Sequence, residues 1–477
     1  MSGPNPRAAA VSALVKQEQD GFSNLVLDAE LKRQQLEGRD KAFASAIFYT
    51  VLEHRGTLDY MLGQFLPKGL AKLDAPVREI LRSALAQARY MQVPASAAVN
   101  EAVKLTRTFK KSSASGLVNA VLRKACSYDL STASFKNEVE RLMVLGSAGR
   151  DVAEFLHKNY PDEALDILTY KADGGMTSLR ANPLKTSAEE LCTKLLVSGA
   201  KEAKPGIVPG SVLARFEGSP AEHELFRQGY FHVEGQASQL AALCVEAKPG
   251  ETVLDLCAAP GGKTLLLAEE MENTGRLVSC DVSENRVSLI RKAVERMGFT
   301  NTEPKVNDAA VCSPELPQAD RILADVPCSG IGILAKKPDI RYKKLEKTRH
   351  DELLSTQSAI LDTAAALLKP GGRLVYSTCT RLPQSLQLAG QLLQRQGRNT
   401  AFLFHSVLLL YQMAFCNAQR KKPSIPVRVG IDNAPYSPTV IPAGNGISGV
   451  ATANSGCRRR NAATCSSFSA GSMVQVE

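Results

Sequence analysis

The chain has 477 residues, which is enough for two or three domains with separate hydrophobic cores. Its eleven cysteines are odd in number and never spaced as Cys-x-x-Cys, and its six histidines form no ligand grouping, so a disulfide framework, a zinc ribbon and any metal site are disfavoured. The net charge of +10 suggests a polyanionic partner, but ten basic and two acidic residues after position 380 carry most of it.

No segment favours export or a membrane. The first residues, MSGPNPRAAAV, lack the apolar core of a signal peptide. The longest apolar run, residues 401–416, is interrupted by polar side chains and is short for a membrane span. We therefore expect a cytoplasmic protein with no membrane partner.

Residues 1–140 show the periodicity of amphipathic helices. Five apolar side chains between 43 and 52 fall on one helical face: Phe43, Ile47, Phe48, Val51 and Leu52. The segment DAPVREILRSALAQA predicts another helix, with Asp74 as its cap, Pro76 in its first turn and a second apolar stripe. The periodicity alone predicts a helical bundle. The later segments VNEAVKLTRTF and GLVNAVLRK also resemble the NusB-type RNA-binding domain, and their basic residues form either a solvated or a phosphate-binding face.

The next regions predict two α/β units. Residues 141–235 suggest a small α/β connector, with a helix opened by Thr186 or Ser187 and short strands in GIVPGSVLARF and GYFHVEG. Residues 236–383 alternate strand-length apolar runs with helices, which predicts a doubly wound, Rossmann-like sheet. Its strands are TVLDLC, RLVSCD, ADRILADV and RLVYSTC.

A loop rich in glycine and proline, CAAPGGKT, follows the first of these strands. Ligands bind at the carboxyl ends of strands in such sheets. A phosphate-binding P-loop would need glycine where Cys257 stands, and the dinucleotide fingerprint Gly-x-Gly-x-x-Gly is absent. S-adenosylmethionine is the third candidate. It needs a backbone turn at its methionine end and an acid for its ribose, and Asp281 ends the next strand, while Asp308 follows a further one. The alternative is that both acids only cap helices.

Two cysteines lie near later strand ends, in DVPCSG and YSTCT. A carbon such as C5 of cytosine is not nucleophilic enough to attack a sulfonium methyl group directly. A thiolate that adds to C6 activates C5, and loss of the C5 proton after transfer expels the thiol. A second polar group assists proton transfer or release, and a carboxyl group at the base edge selects cytosine. This chemistry does not decide which cysteine attacks.

The motifs LDLCAAPGGKT, ADVPCSGIG and YSTCT together resemble the RNA cytosine-C5 methyltransferases of the NOL1/NOP2/Sun family, and VEGQASQLAA resembles the segment that precedes them. The resemblance extends to about residue 383. It implies S-adenosylmethionine as cofactor, small-subunit ribosomal RNA as partner and a monomeric enzyme. It assigns Cys379 as nucleophile, Cys328 to product release and Asp325 to the cytosine and the cofactor. The implied cofactor site comprises Cys257, Ala258, Ala259, Pro260, Gly261, Gly262, Lys263, Asp281, Asp308 and Asp325. A basic run follows the Pro-Cys motif and either tracks RNA phosphates or forms a charged surface: Lys336, Lys337, Arg341, Lys343, Lys344, Lys347 and Arg349.

Residues 384–477 depart from the family. Gln384 stands where relatives have an acid, acids almost vanish, and Gly, Ser, Asn and Pro dominate, as in a frame-shifted translation. We expect a disordered tail without the closing strands of the sheet, and no element beyond a helix near 386–395. Two hypotheses follow: an active rRNA methyltransferase, or a catalytically impaired RNA-binding protein that retains the cofactor pocket.

Overall fold

The computed structural model describes residues 5–18, 23–171, 175–216, 218–382, 384–385 and 401–405. The chain forms two compact units. The first runs to Gly235 and also includes Ser329–Leu353, a segment that follows the Pro-Cys motif in sequence. The second contains Gln236–Cys328 and the chain from Leu354 onward. The domain boundaries given above stay a prediction.

Helices make up the first part of the first unit, as the periodicity predicts. They are α1 (Pro6–Gln17), α2 (Ser23–Arg33), α3 (Gly38–Gly63), α4 (Ala75–Tyr90), α5 (Ala95–Thr108), α6 (Ser115–Cys126), α7 (Glu138–Leu145), α8 (Arg150–Asn159) and α9 (Ala164–Thr169). Both predicted stripes face the core of this bundle, with Phe43 partly buried. Pro76 lies in the first turn of α4, and Asp74 holds the N-cap position. The predicted side-chain cap is wrong, however, because the carboxylate of Asp74 instead pairs with Lys111 at 2.6 Å.

A small antiparallel sheet completes the first unit. Its elements are β1 (Thr177–Ala181), α10 (Ala188–Val197), β2 (Glu202–Pro205), β3 (Ser211–Arg215), α11 (Glu224–Arg227) and β4 (Phe231–Val233), and the strand order is β2-β3-β1-β4. Ser187 caps α10 by accepting a hydrogen bond from the amide of Glu190 at 3.1 Å, so Ser187 rather than Thr186 opens this helix. The α/β nature of residues 177–233 agrees with the prediction.

The second unit is a parallel sheet flanked by helices, and the predicted Rossmann-like fold is confirmed. Its elements are α12 (Gln236–Leu243), β5 (Thr252–Asp255), α13 (Gly262–Glu270), β6 (Arg276–Asp281), α14 (Glu284–Met297), β7 (Thr302–Val306), β8 (Ala319–Asp325), α15 (Lys347–Leu367), β9 (Leu368–Ser377) and β10 (Ala401–His405), except that residues 347–353 of α15 belong to the first unit. The strand order is β10-β9-β8-β5-β6-β7, and all pairs are parallel. Separate apolar clusters pack on the sheet, one around Leu254, Ile322 and Leu374 and one around Val253, Leu323 and Val375.

Strand β10 corrects the prediction for the tail. The backbone of Ala401–His405 pairs with Arg373–Ser377 of β9, so the edge expected to be open is covered along those residues. The prediction missed this short apolar stretch because it was based on the Gly, Ser, Asn and Pro content of the long segment that follows. The predicted helix near 386–395 and the predicted disorder after 405 lie outside the described residues.

Among the described helices, none combines the length and the hydropathy that crossing a bilayer requires.

Helix α3 packs closely against α7 at Gly56. A β-carbon at this position of α3 would overlap the carbonyl oxygen of Met143 on α7. We predict that Gly56→Ala lowers the free energy of unfolding by about 1–3 kcal/mol, because backbone must move to admit the methyl group. The matched control is Gly116→Ala in α6, where the space is open and alanine favours the helix. Thermal unfolding that found the two variants equally stable would contradict this packing argument.

Candidate active site

The predicted site residues lie where the parallel strands of the second unit end. Asp281 is the last residue of β6, Asp325 is the last of β8, and Cys379 follows β9 by two residues. The strand order places β8 between β5 and β9, so the loops after these three strands are neighbours. In open parallel sheets, this carboxyl edge is where ligands bind.

The loop of residues 257–263 joins β5 to α13. The amide of Gly261 donates to the carbonyl of Ala258 at 2.8 Å, and the amide of Ala258 donates to the carbonyl of Cys280 at 2.8 Å. Gly261 has φ of 108°, a left-handed conformation that glycine adopts without strain, and it is the N-cap residue of α13. The loop is therefore a tight turn of small residues at a helix N-terminus, which suits close approach by a ligand.

Asp281 contacts this loop. Its Oδ2 accepts from the amide of Ala259 at 3.3 Å, and its Oδ1 pairs with Arg286 at 3.3 Å. Arg286 in turn donates to the carbonyl of Ala259 at 3.0 Å. Asp281 also accepts from the amide of Ser283, but Ser283 is itself the N-cap residue of α14. The buried carboxylate of Asp281 is thus tied to the loop as well as to the helix start.

Asp308 behaves differently. It is exposed in the turn after β7, and its carboxylate accepts from the amide of Ala310 at 2.9 Å. No described helix begins at Asp308, so this local bond closes a turn and does not cap a helix, and the described contacts do not bring Asp308 to the loop or to the cysteines.

The carboxylate of Asp325 is held on both oxygens. Lys263 donates to Oδ2 at 2.7 Å, and the hydroxyl of Ser377 donates to Oδ1 at 2.5 Å. About a third of the Asp325 side chain remains exposed, at 32%. The ion pair and the hydroxyl orient the carboxylate while leaving part of it open to a ligand. Ser377 was missed in the sequence, although it precedes the Thr-Cys motif directly.

The two motif cysteines are in contact. Cys328 Sγ and Cys379 Sγ lie 2.7 Å apart although the residues are 51 positions apart in the chain. The hydrogen bond to Cys328, together with burial, raises the pKa of Cys379 well above its ordinary value. Both effects favour the thiol form of Cys379 over the thiolate. From the sequence we expect five other cysteines to be buried and inert: Cys126, Cys192, Cys244, Cys280 and Cys312. Of these, Cys192 and Cys280 are buried, Cys126 and Cys244 are partly buried, and Cys312 is exposed.

A buried acid beneath the loop also escaped the sequence analysis. Asp255 ends β5 with no exposed surface, and its Oδ2 accepts from the hydroxyl of Thr264 at 2.8 Å. Burial raises the pKa of Asp255 to about 7, against the opposing effects of Thr264 and Lys263. The sequence feature that could have identified Asp255 is its position at the end of a strand, just before the glycine loop.

The basic run after the Pro-Cys motif contains one residue that phosphates cannot reach. Arg341 is only 4% exposed and donates to the carbonyls of Gly146 and Leu168, both at 2.8 Å. Arg341 therefore fits neither interpretation of the basic run, since its buried guanidinium satisfies backbone carbonyls within the first unit. Lys343 is half-buried and donates to the carbonyl of Ser329 at 3.2 Å. The remaining members of the run are exposed: Lys336, Lys337, Lys344, Lys347 and Arg349.

Metal ligands do not cluster in the described residues. No group of three or more His, Cys, Asp or Glu side chains among them is arranged to hold a metal ion.

The parallel sheet, the glycine loop and the acid at the next strand end define an S-adenosylmethionine-dependent methyltransferase domain. Residues 242–403 match the family described as 16S rRNA methyltransferase RsmB/F, and residues 4–127 match the NusB family. The chain belongs to the RsmB/F family of 16S rRNA methyltransferases and carries an N-terminal NusB domain. The family predicted from the motifs is confirmed.

Individual relatives cover most of the chain. A probable ribosomal RNA small subunit methyltransferase B of Bacillus subtilis is 34% identical over 80% of this chain and 86% of its own length. The ribosomal RNA small subunit methyltransferase B of Shigella boydii is 30% identical over 80% of this chain and 87% of its own length. The crystal structure of PH0851 superposes with a TM-score of 0.66 at 26% identity, over 93% of this chain and 94% of that one.

The raised pKa of Asp255 predicts a pH-dependent stability difference. A carboxyl whose folded pKa exceeds its unfolded value of 3.8 favours folding below pH 4 and loses that contribution as pH rises through about 7. Asp255→Asn does not titrate and keeps an oxygen for Thr264. Relative to the unmodified protein, the variant should gain up to about 1.4 kcal/mol per pH unit between pH 4 and 7. Calorimetric unfolding across this range tests the slope, with circular dichroism as the control for folding. A difference that is constant with pH would argue against the buried carboxyl.

Proposed function

We propose that this protein methylates C5 of a cytosine in 16S rRNA through a covalent bond between Cys379 and C6 of the base. The supporting observation is the contact of the two motif sulfurs beside the oriented carboxylate of Asp325. In the same proposal, residues 1–140 bind the rRNA and residues 236–383 carry out methyl transfer. Residues 141–235 connect these two regions. The alternative, an RNA-binding protein that has lost catalysis, loses support because β10 covers the sheet edge that was expected to be open.

Cys379 is the proposed nucleophile. The thiolate is the reactive form, and the raised pKa of Cys379 disfavours it while the thiol is hydrogen-bonded to Cys328. Attack therefore requires the base to enter and the pair of sulfurs to separate. Cys379 then loses its thiol proton to solvent, its Sγ bonds to C6 as the electrons of the C5–C6 double bond move to C5, and C5 takes the methyl group. A base then removes the C5 proton, the C5–H electrons restore the C5–C6 double bond, and the Cys379 sulfur leaves with the S–C6 electron pair. We assign assistance in this last step to Cys328, whose sulfur is adjacent.

Asp325 is the proposed reader of the base. As a carboxylate paired with Lys263, it accepts hydrogen bonds and does not donate them. The 4-amino group of cytosine is a donor, whereas the oxygen at position 4 of uracil is an acceptor. A buried mismatch of two acceptors is costly, so the oriented carboxylate favours cytosine. Ser377 and Lys263 fix the direction in which that acceptor points.

The loop and Asp281 fit the proposed cofactor. The tight turn at residues 257–263 offers backbone to the methionine end, and Asp281 lies against the same turn with an ionisable side chain for the ribose hydroxyls. Asp308 is proposed to lie near the adenine. When bound, S-adenosylmethionine supplies the electrophilic methyl group. The protein's part is to hold the acceptor carbon and the base in line with it.

The two cysteines should give opposite results in an adduct assay. We predict that Cys379→Ala abolishes methylation and the covalent RNA adduct, because no sulfur attacks C6. Cys328→Ala should stay attached to RNA, because addition survives and elimination fails. Denaturing gels with labelled 16S rRNA and S-adenosylmethionine measure both.

The matched control is Cys192→Ala, which removes a buried thiol from α10 and should leave methylation intact. An adduct in Cys379→Ala that is absent from Cys328→Ala would reverse the two roles. No transfer by the unmodified protein, despite RNA binding, would favour the impaired-protein alternative.

Cofactor binding should depend on Asp281. We predict that Asp281→Ala weakens S-adenosylmethionine binding by about 1–3 kcal/mol, the cost of leaving buried hydrogen-bonding groups unpaired. Isothermal titration calorimetry in the absence of RNA measures the affinity for S-adenosylmethionine. Glu303→Ala is the control, since Glu303 is an exposed acid on β7 that pairs with Arg276 instead. Equal affinity in the Asp281 and Glu303 variants would remove Asp281 from the site.

A further inference from the structure

A buried glutamine joins the two loops that carry the cysteines. Gln357 lies on α15 with no exposed surface. Its Nε2 donates to the carbonyl of Pro327 at 2.8 Å, and its Oε1 accepts from the hydroxyl of Tyr376 at 3.1 Å. Pro327 directly precedes Cys328, and Tyr376 lies three residues before Cys379. One side chain thus bridges the Pro-Cys loop and the strand that leads to the Thr-Cys motif.

The bridge is made of groups with little freedom to move. Tyr376 is 1% exposed, and its hydroxyl is also 3.3 Å from the carbonyl of Ser385. Burial, and next the proximity of Cys328, raise the pKa of Tyr376 well above its ordinary value, so the phenol stays protonated and remains a donor. Both functional atoms of the Gln357 amide are therefore engaged with partners that are themselves fixed.

The two loops differ in how much other support they have. On the β9 side, strand pairing sets Ser377 opposite Asp325, so the backbone before Cys379 is anchored by the sheet. On the β8 side, the amide of Val326 donates to the carbonyl of Ser377 at 3.0 Å. After this bond the chain leaves the sheet and enters the Pro-Cys loop. Pro327 has no amide hydrogen, so its carbonyl is the one hydrogen-bonding group of its own backbone. Two residues further on, Lys343 holds the carbonyl of Ser329 at 3.2 Å. Gln357 anchors the Pro327 carbonyl.

We propose that Gln357 is a positioning residue for the reaction, which holds the Pro-Cys loop so that Cys328 stays beside Cys379. The inference rests on the proposed function, in which Cys328 serves product release. Loss of the Gln357 amide frees the Pro327 carbonyl and lets the Cys328 sulfur drift. Elimination then slows more than addition, because the backbone that carries Cys379 keeps its strand pairing. The covalent enzyme–RNA adduct should therefore accumulate, although to a smaller extent than in Cys328→Ala.

The test compares Gln357→Met with Tyr376→Phe in the full chain. Methionine has a similar length and no strong hydrogen-bonding group, and phenylalanine removes only the hydroxyl. We expect Gln357→Met to slow release of methylated 16S rRNA by between about tenfold and about a hundredfold, the range for small misplacements of a reacting group. Tyr376→Phe should also slow release, but by a smaller factor, because the hydrogen bond from Gln357 to the Pro327 carbonyl remains. Pre-steady-state quenching gives adduct formation and release separately, and calorimetry gives cofactor affinity, which should be unchanged.

Thr363→Val is the control, since Thr363 is a buried polar residue on the same helix and has no place in the bridge. Release that is equally fast in Gln357→Met and Thr363→Val would overturn the inference. If Gln357→Met does not fold, the Tyr376→Phe variant tests the inference instead. A ratio of release rate to addition rate in Tyr376→Phe that equals that of the unmodified protein would also overturn it. Failure of Cys328→Ala to trap RNA would instead refute the proposed function, so the two failures are distinguishable.

Discussion

The parallel pairing of β8 with β9 is the contact on which the candidate site depends. It sets Asp325 opposite Ser377 at the ends of the two strands, and the Ser377 hydroxyl then reaches the Asp325 carboxylate. The chains that leave the sheet at this point run side by side, which brings Cys328 to Cys379. A slip of one residue would turn alternate side chains to the other face of the sheet and separate all of these groups. The chemistry therefore follows from strand register.

Charge balance is the second constraint. One lysine, Lys263, is paired with Asp325 and lies near Asp255, so a single cation serves two acids at the strand ends. Burial raises the pKa of Asp255 toward neutrality, which limits the negative charge that must be compensated. Asp325 adds to the raised pKa of Cys379, although less than the bond to Cys328 and burial do. The contact with Cys328, burial and Asp325 thus all act in the same direction on the pKa of Cys379.

The sequence predicted those features that depend on local pattern. Apolar runs of strand length, separated by helical stretches, identified β5, β6, β8 and β9, and three motifs identified the family. Gln357 and Ser377 were not predicted, because their importance arises from bonds across 30 and 52 positions of the chain. Asp74 shows the converse: the local pattern favoured a side-chain cap, and a tertiary ion pair with Lys111 took the carboxylate instead.

Arg341 shows why a count of basic residues is a poor guide to an RNA surface. The amide of Gly149 donates to the Arg341 carbonyl at 2.7 Å, and the guanidinium binds two further carbonyls of the first unit, so this cation stabilises packing. The segment that contains it, Ser329–Leu353, packs with the helical unit although its first residue directly follows Cys328. The covalent chain thus joins the Pro-Cys loop to the unit that carries the NusB domain.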